Sequence, residues 1–247
     1  MDGFDRNAYG DRWAADYDTL HEGKVDADAT VAGLSELAGP GGSVLEYGAG
    51  TGRIAIPLAA RGHDVVGVEI SEAMLVELRA KPGSDAVTAV LGDMTTVELG
   101  RTFDLACVPF NSIFTLPTQD DQVELFRNAA MHLRPGGRFA LESVMTGDKP
   151  GSGPVPRLRV ADVGADRMVL AGGVLDPITQ FYQGTWAVLG PNGTTFYPLQ
   201  GRHVTHAEMD LMARIAGLEL EHRLADWTRA AVTPWSRQHV SVYRRPG

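Results

Sequence analysis

The run Val44-Leu45-Glu46-Tyr47-Gly48-Ala49-Gly50-Thr51-Gly52 decides the fold of this chain. It begins as an apolar strand (Ser43 to Tyr47), passes through a glycine turn, and leads into a helix over about Arg53 to Ala60. Strand, tight turn and helix in that order open a parallel sheet with crossover helices. Glycines in such a turn let the backbone approach a ligand at the carboxyl edge of the sheet. A plain strand–helix connection would carry glycines too, so the turn alone leaves both readings open.

Outward from it the alternation continues. Asp64 to Glu69 is the next strand, and Ser71 caps a helix to about Ala80 with Glu72 in its first turn. Ala86 to Leu91 and Phe103 to Val108 are further strands. A helix over about Thr118 to Leu133 stops at Arg134-Pro135-Gly136-Gly137, and Arg138 to Val144 is the fifth strand. Apolar strands alternating with helices require a sheet covered on both faces. From Met145 to Arg157 the prolines and glycines predict a loop. Then come β-type runs at Arg167–Leu170, Gln180–Leu189 and Thr194–Val204, the last two joined by the hairpin turn Gly190-Pro191-Asn192-Gly193. With no helix between them they pair antiparallel, as an insertion. Thr205-His206-Ala207-Glu208 has capping-box spacing and opens a helix to Ala216, and Leu218–Ala225 and His239–Tyr243 close the sheet.

Composition narrows the function classes. The 247 residues carry 31 acidic against 22 basic side chains, a formal net charge of −9, which argues against a groove for nucleic acid. No run approaches the ~20 apolar residues that span a bilayer, and the acidic start Met1-Asp2-Gly3-Phe4-Asp5-Arg6 is unlike a signal peptide. One cysteine, Cys107, leaves no internal disulfide and no cysteine-built zinc site, and no histidine pair has metal-ligand spacing. No metal and a cytoplasmic setting are the expectations; monomer and homodimer both stay open.

Three carboxylates sharpen the glycine turn. Glu46 precedes it, Glu69 ends the second strand, and Asp93 follows the third. Glu69 is placed to accept both hydroxyls of a ribose, Asp93 to accept from an adenine amine, and Glu46 to attract a cationic ligand end. A dinucleotide would want a G-x-G-x-x-G turn and would be repelled by an acid beside its phosphates. S-adenosylmethionine, with its ammonium, sulfonium and ribose and no phosphate, fits better.

These motifs together resemble the class I S-adenosylmethionine-dependent methyltransferases over nearly the whole chain. Val44 to Gly52 looks like their glycine-rich motif, Val68 to Leu75 like the ribose motif and Leu91-Gly92-Asp93-Met94 like the adenine motif. Phe103-Asp104-Leu105 and Leu133-Arg134-Pro135-Gly136-Gly137 follow in order. The resemblance implies an α/β fold: a doubly wound, mostly parallel seven-stranded sheet with a terminal antiparallel hairpin. It also implies one methyltransferase domain over 1–247, with 1–40 as an N-terminal helical cap and 150–203 as a β insertion over the acceptor site. The insertion and Ala15-Asp16-Tyr17-Asp18 resemble the branch that methylates small molecules, including amino sugars.

On this reading Tyr17, Glu46, Gly48, Gly50, Glu69, Ile70, Met74, Asp93, Met94 and Phe110 hold the cofactor, with Tyr9 as a second covering ring. For Ile70 and Met94 the alternative is ordinary core packing. Asn111, Tyr182, Trp186, Arg202 and Trp235 are assigned to the acceptor, since their segments leave the sheet at the cofactor edge. Only His21 and His203 are placed to reach the acceptor as a base. Val108-Pro109-Phe110-Asn111 departs from the Asn/Asp-Pro-Pro-aromatic run of enzymes that methylate DNA bases or protein glutamine. The expected reaction is methyl transfer to an O, N or C atom of a small molecule. Two alternatives stand beside it: a nucleotide-dependent oxidoreductase, and a cofactor-binding descendant that no longer methylates.

Overall fold

The computed structural model describes residues 8–21, 23, 26–145, 154 and 156–247. Seven helices are described: α1 (Ala8–Trp13), α2 (Tyr17–His21), α3 (Ala27–Ala38), α4 (Ala55–Ala60), α5 (Glu72–Arg79), α6 (Gln119–His132) and α7 (His206–Ile215). The strands of the main sheet are β1 (Ser43–Tyr47), β2 (Asp64–Glu69), β3 (Val87–Leu91), β4 (Phe103–Val108), β5 (Leu133–Val144), β10 (Glu219–Leu224) and β11 (Gln238–Arg244). They run in the order β10-β11-β5-β4-β1-β2-β3, parallel from β5 to β3, with β11 antiparallel to both of its neighbours, β5 and β10. The expected doubly wound sheet is present. β1 lies between β2 and β4, so the chain reverses its direction of winding beside the glycine turn, where open α/β sheets bind ligands.

Successive residues of each strand point to opposite faces, which splits the core in two. Leu45, Tyr47, Val68, Phe103 and Phe139 pack against α6 and α7 with Phe126, Met209 and Met212. Val44, Val65, Leu105, Cys107 and Ala140 pack against α3 and α4 with Val31, Leu34 and Leu58. Cys107 is buried, as an inert core thiol would be.

Three local expectations are corrected. α4 begins at Ala55, two residues later than Arg53, and Pro57 then falls in its first turn, where its missing N–H is not needed. Arg134-Pro135-Gly136-Gly137 does end α6, yet it lies within β5 as a bulge. Leu133 pairs with Phe103 and Arg138 with Leu105, so the extra residues loop out without breaking the strand. The insertion has four strands, not three: β6 (Arg157–Val163), β7 (Met168–Leu175), β8 (Phe181–Gly190) and β9 (Gly193–Arg202), in sequential antiparallel order. β7 extends past the expected run, through Gly172 and Gly173. A Cβ on Gly173 or Gly184 would lie within 2.3 or 2.5 Å of the Tyr182 hydroxyl, so glycine is what lets that ring lie flat on the sheet. The expected 145–157 loop and the first residues of the 1–40 cap fall largely outside the described residues.

The inserted sheet rests on the N-terminal helices. Trp186 and Tyr197 are cross-strand partners facing Trp13, with ring centroids 5.1 Å from it in each case. The Trp13 indole donates to the Pro198 carbonyl at 2.9 Å and the Tyr197 hydroxyl to Asp16 at 2.5 Å. Tyr197 is buried in this small second core with Leu20 and Met74.

Candidate active site

The glycine turn and the end of β2 form one unit. The Glu69 carboxylate accepts the Gly50 amide on Oε2 (2.9 Å) and the amides of Ile70 and Ser71 on Oε1 (2.9 and 3.0 Å). Burial pushes its pKa up, and those three amides oppose the shift. Oε1 is thereby filled while Oε2 keeps a lone pair. Oε2 is therefore the oxygen on which a ribose hydroxyl would first be accepted. Gly48 is left-handed (φ 71°), and a Cβ there would lie 3.2 Å from Ser112 on the far wall of the cleft.

That cleft is lined by Gly48, Val68, Ile70, Gly92, Asp93, Met94, Thr115 and Leu116. The lining is mostly apolar with one carboxylate, Asp93, the chemistry of an adenine site. Asp93 Oδ1 accepts both the amide and the hydroxyl of Thr95 (2.8 and 2.7 Å), which shapes the turn after β3. Thr115 and Leu116 were not legible as lining residues, because they arrive through a short 3-10 turn, Ser112–Thr115, after β4.

At the other end of the turn lies a charged cluster. Glu46 is 2% exposed. Burial first, and the Glu69 carboxylate second, push its pKa well up, while the Ala55 amide opposes the shift. Arg53 lies with its guanidinium 4.3 Å from the Phe110 ring centroid and 5.7 Å from that of Tyr17. Tyr9 lies beside Tyr17, and burial raises the pKa of both hydroxyls. Glu46 Oε2 and Arg53 Nε are buried polar atoms with no hydrogen-bond partner. Orphaned buried groups of this kind call for a ligand. A guanidinium among carboxylates complements S-adenosylmethionine: Arg53 would meet the methionyl carboxylate, and the acids would meet the ammonium and sulfonium. Sequence reading passed over Arg53, although a cation just ahead of a helix N-terminus, against the dipole, was a usable signal.

The remaining assigned residues separate into groups. Asn111 leaves β4 beside Phe110, and its Oδ1 accepts the Val144 amide at 2.6 Å. His21 lies between Tyr17 (4.3 Å, stacked) and Trp186 (5.6 Å, stacked). His203 belongs to a different stack, with Tyr182 (5.3 Å) and Phe114 (4.9 Å). Three residues are not brought to the cleft. Met74 is 2% exposed and packs under α1 with Trp13 and Tyr197. Trp235 is 90% exposed in the β10–β11 loop. Arg202 is 5% exposed, its guanidinium bound by Glu208, Gln122 and Gln180. Among the described residues no cluster of three metal-ligating side chains occurs, and no helix is long and apolar enough to cross a membrane.

The buried acids predict a pH effect. Glu46, Glu69 and Glu142 hold protons more tightly folded than unfolded. Their contribution to stability is therefore present at low pH and fades as pH rises through their raised values. A cationic ligand end beside Glu46 requires that acid ionised. The rise in Tm on adding S-adenosylmethionine is expected to grow as pH rises above the ordinary glutamate range. A gain that does not change with pH would show that Glu46 does not face the ligand's cations.

Comparison with known proteins agrees with this geometry. A family model described as a methyltransferase domain matches residues 44–137. The chain is 33% identical over 205 residues to the cypemycin N-terminal methyltransferase of a Streptomyces species, covering 83% of this chain and 84% of that one. The structure of the CcbJ methyltransferase from Streptomyces caelestis superposes with a TM-score of 0.92 at 34% identity, over 99% of this chain and 100% of that one. CalS10, an amino pentose methyltransferase from Micromonospora echinaspora solved with S-adenosylmethionine bound, shares the fold at 21% identity (TM-score 0.67, covering 93% and 96%). These relatives set aside the oxidoreductase alternative. Glycine turn, adenine slot, charged cluster and relatives converge: the chain belongs to the class I S-adenosylmethionine-dependent methyltransferases.

Proposed function

We propose that the enzyme methylates an amine nitrogen on a small molecule or peptide, in the cytoplasm. The observation that carries this reading is the surroundings of His21. Its Nδ1 lies 2.8 Å from the Tyr17 carbonyl, which can only accept, so the proton sits on Nδ1 and the basic lone pair on Nε2. The ring is flanked by Tyr17 and Trp186, and the Tyr17 ring in turn lies 5.7 Å from the Arg53 guanidinium. Aromatic faces and carboxylates attract an ammonium, and His21 is the base that accepts its proton. The cofactor supplies the activated methyl and a neutral thioether leaving group; the protein supplies alignment and exclusion of water.

Relatives support nitrogen as the acceptor atom. One is named as an N-terminal methyltransferase, and another, 30% identical over 140 residues, as a dTDP-amino-sugar N,N-dimethyltransferase from Saccharopolyspora spinosa. In this reading α1, α2 and the inserted sheet form one cap over the acceptor. Trp186 and Asn111 face the acceptor, while Tyr182 and His203 stiffen the base of the insertion.

The test is a panel of amines, alcohols and carbon acids with methyl-labelled cofactor. Label is expected in amines; transfer confined to oxygen or carbon would overturn the reading. With an accepted amine, His21→Ala should lower kcat/KM about 10- to 100-fold near neutral pH, with the loss shrinking at high pH as free amine accumulates. An equal loss at every pH would remove His21 as the base.

A further inference from the structure

The adenine slot has one wall that the glycine turn and the ends of β2 and β3 do not supply. Thr115 and Leu116 line it from the 3-10 turn Ser112–Thr115. So short a turn has few bonds of its own, and its position depends on what it rests against. It rests against β9, the edge strand of the inserted sheet. An edge strand carries main-chain groups that no neighbouring strand uses, and β9 gives two of them to other elements. Its Pro198 carbonyl accepts the Trp13 indole at 2.9 Å, and its Arg202 amide donates to the Leu116 carbonyl at 3.1 Å.

Three further contacts close this joint. Gly201 lies so near the turn that a Cβ there would fall 1.6 Å from the Phe114 carbonyl oxygen. Gln122 of α6 is fully buried, and its Nε2 donates to the Arg202 carbonyl at 2.8 Å and to the Ile113 carbonyl at 3.3 Å. One amide group thereby bridges strand and turn, which accounts for a glutamine where an apolar residue would be cheaper to bury. The His203 ring adds a contact to the Phe114 ring, with centroids 4.9 Å apart. The joint uses the Arg202 main chain, while the guanidinium goes to Glu208, Gln180 and Gln122 Oε1.

We propose that the inserted sheet is part of the cofactor site, with Gly201 and Gln122 as positioning residues for the adenine wall. Gly201 lets the two main chains meet with no side chain between them, and Gln122 ties their carbonyls to one group. The insertion thus sets the width of the adenine slot. This rests on the family assignment and is independent of the acceptor class.

The test is Gly201→Ala, whose added methyl must push strand and turn apart. Calorimetry well below the melting transition should find adenosine and S-adenosylhomocysteine weakened by one common factor of about 10 to 100, since both carry the adenine. Arg202→Met is the control for stability: it removes the guanidinium but keeps the main-chain joint. Its affinities should stay within about threefold of the parent although its melting temperature falls. If Gly201→Ala does not fold, Gln122→Met takes its place. It keeps the length of the side chain, removes both N–H donors, and should weaken both ligands at least about fivefold. Adenosine affinity within about threefold of the parent in the variant measured would overturn the proposal. So would an equal loss in Arg202→Met, which would tie affinity to stability alone, or a loss for S-adenosylhomocysteine that adenosine does not share.

Discussion

Replacing Arg202 by methionine is expected to destabilise the protein by about 3–5 kcal/mol, the cost of breaking a buried ion pair from one side. The guanidinium reaches Glu208 Oε1 and Gln122 Oε1 at 2.6 Å each and also bonds Gln180, so three oxygens lose their donor at once. The network ties the end of β9 to α6 and to the capping box of α7, where Glu208 also accepts the Thr205 amide at 2.9 Å. Denaturant unfolding should show the loss, with cofactor affinity changed by less than about threefold. Removing both charges, with Arg202→Met and Glu208→Gln together, should recover much of it, because a paired apolar or neutral replacement leaves no orphaned ion. The pair also has a signature in acid. Burial alone would raise the Glu208 pKa, but the Thr205 amide, Gln180 and Arg202 bring it down to about 2. Its stabilising contribution is therefore present above the ordinary glutamate value and is lost as pH falls towards 2. An acceptor KM that rises while stability stays unchanged would instead return Arg202 to the pocket wall.

Glu69→Ala should weaken S-adenosylmethionine by about 2–4 kcal/mol, or roughly 30- to 1000-fold. The variant loses the carboxylate oxygen assigned to the ribose, and it also frees the Gly50, Ile70 and Ser71 amides that organise the turn. Adenosine should weaken in parallel with S-adenosylhomocysteine, since both carry the ribose. A loss confined to ligands with the methionyl end would place Glu69 elsewhere. Unchanged affinity by calorimetry would remove the ribose assignment altogether.

The local grammar of the chain was legible before any coordinates. Ser71 accepts the Met74 amide, Thr118 the Asp121 amide, and Thr205 with Glu208 forms both bonds of a capping box. Each signal lies within three residues of what it controls, so one-dimensional reading suffices. The glycine turn and the acids at the ends of β2 and β3 were legible for a related reason. In a parallel sheet the carboxyl ends of successive strands share one edge, so strand order and spacing already place Glu46, Glu69 and Asp93 together.

Long-range packing decided the rest. Arg53 meets Phe110, and Glu142 meets Trp227, from four separate segments, and nothing local to any of them announces the others. Alternation on β8 showed that Tyr182 and Trp186 share a face, but not that α1 lies against it with Trp13 at 5.1 Å. Arg202 reads as an acceptor contact at the end of a strand until α6 and α7 close over it. Patterning tells which side of an element is buried, because that follows from backbone period. It does not tell against what, because the partner is chosen by which surfaces the folded topology leaves uncovered.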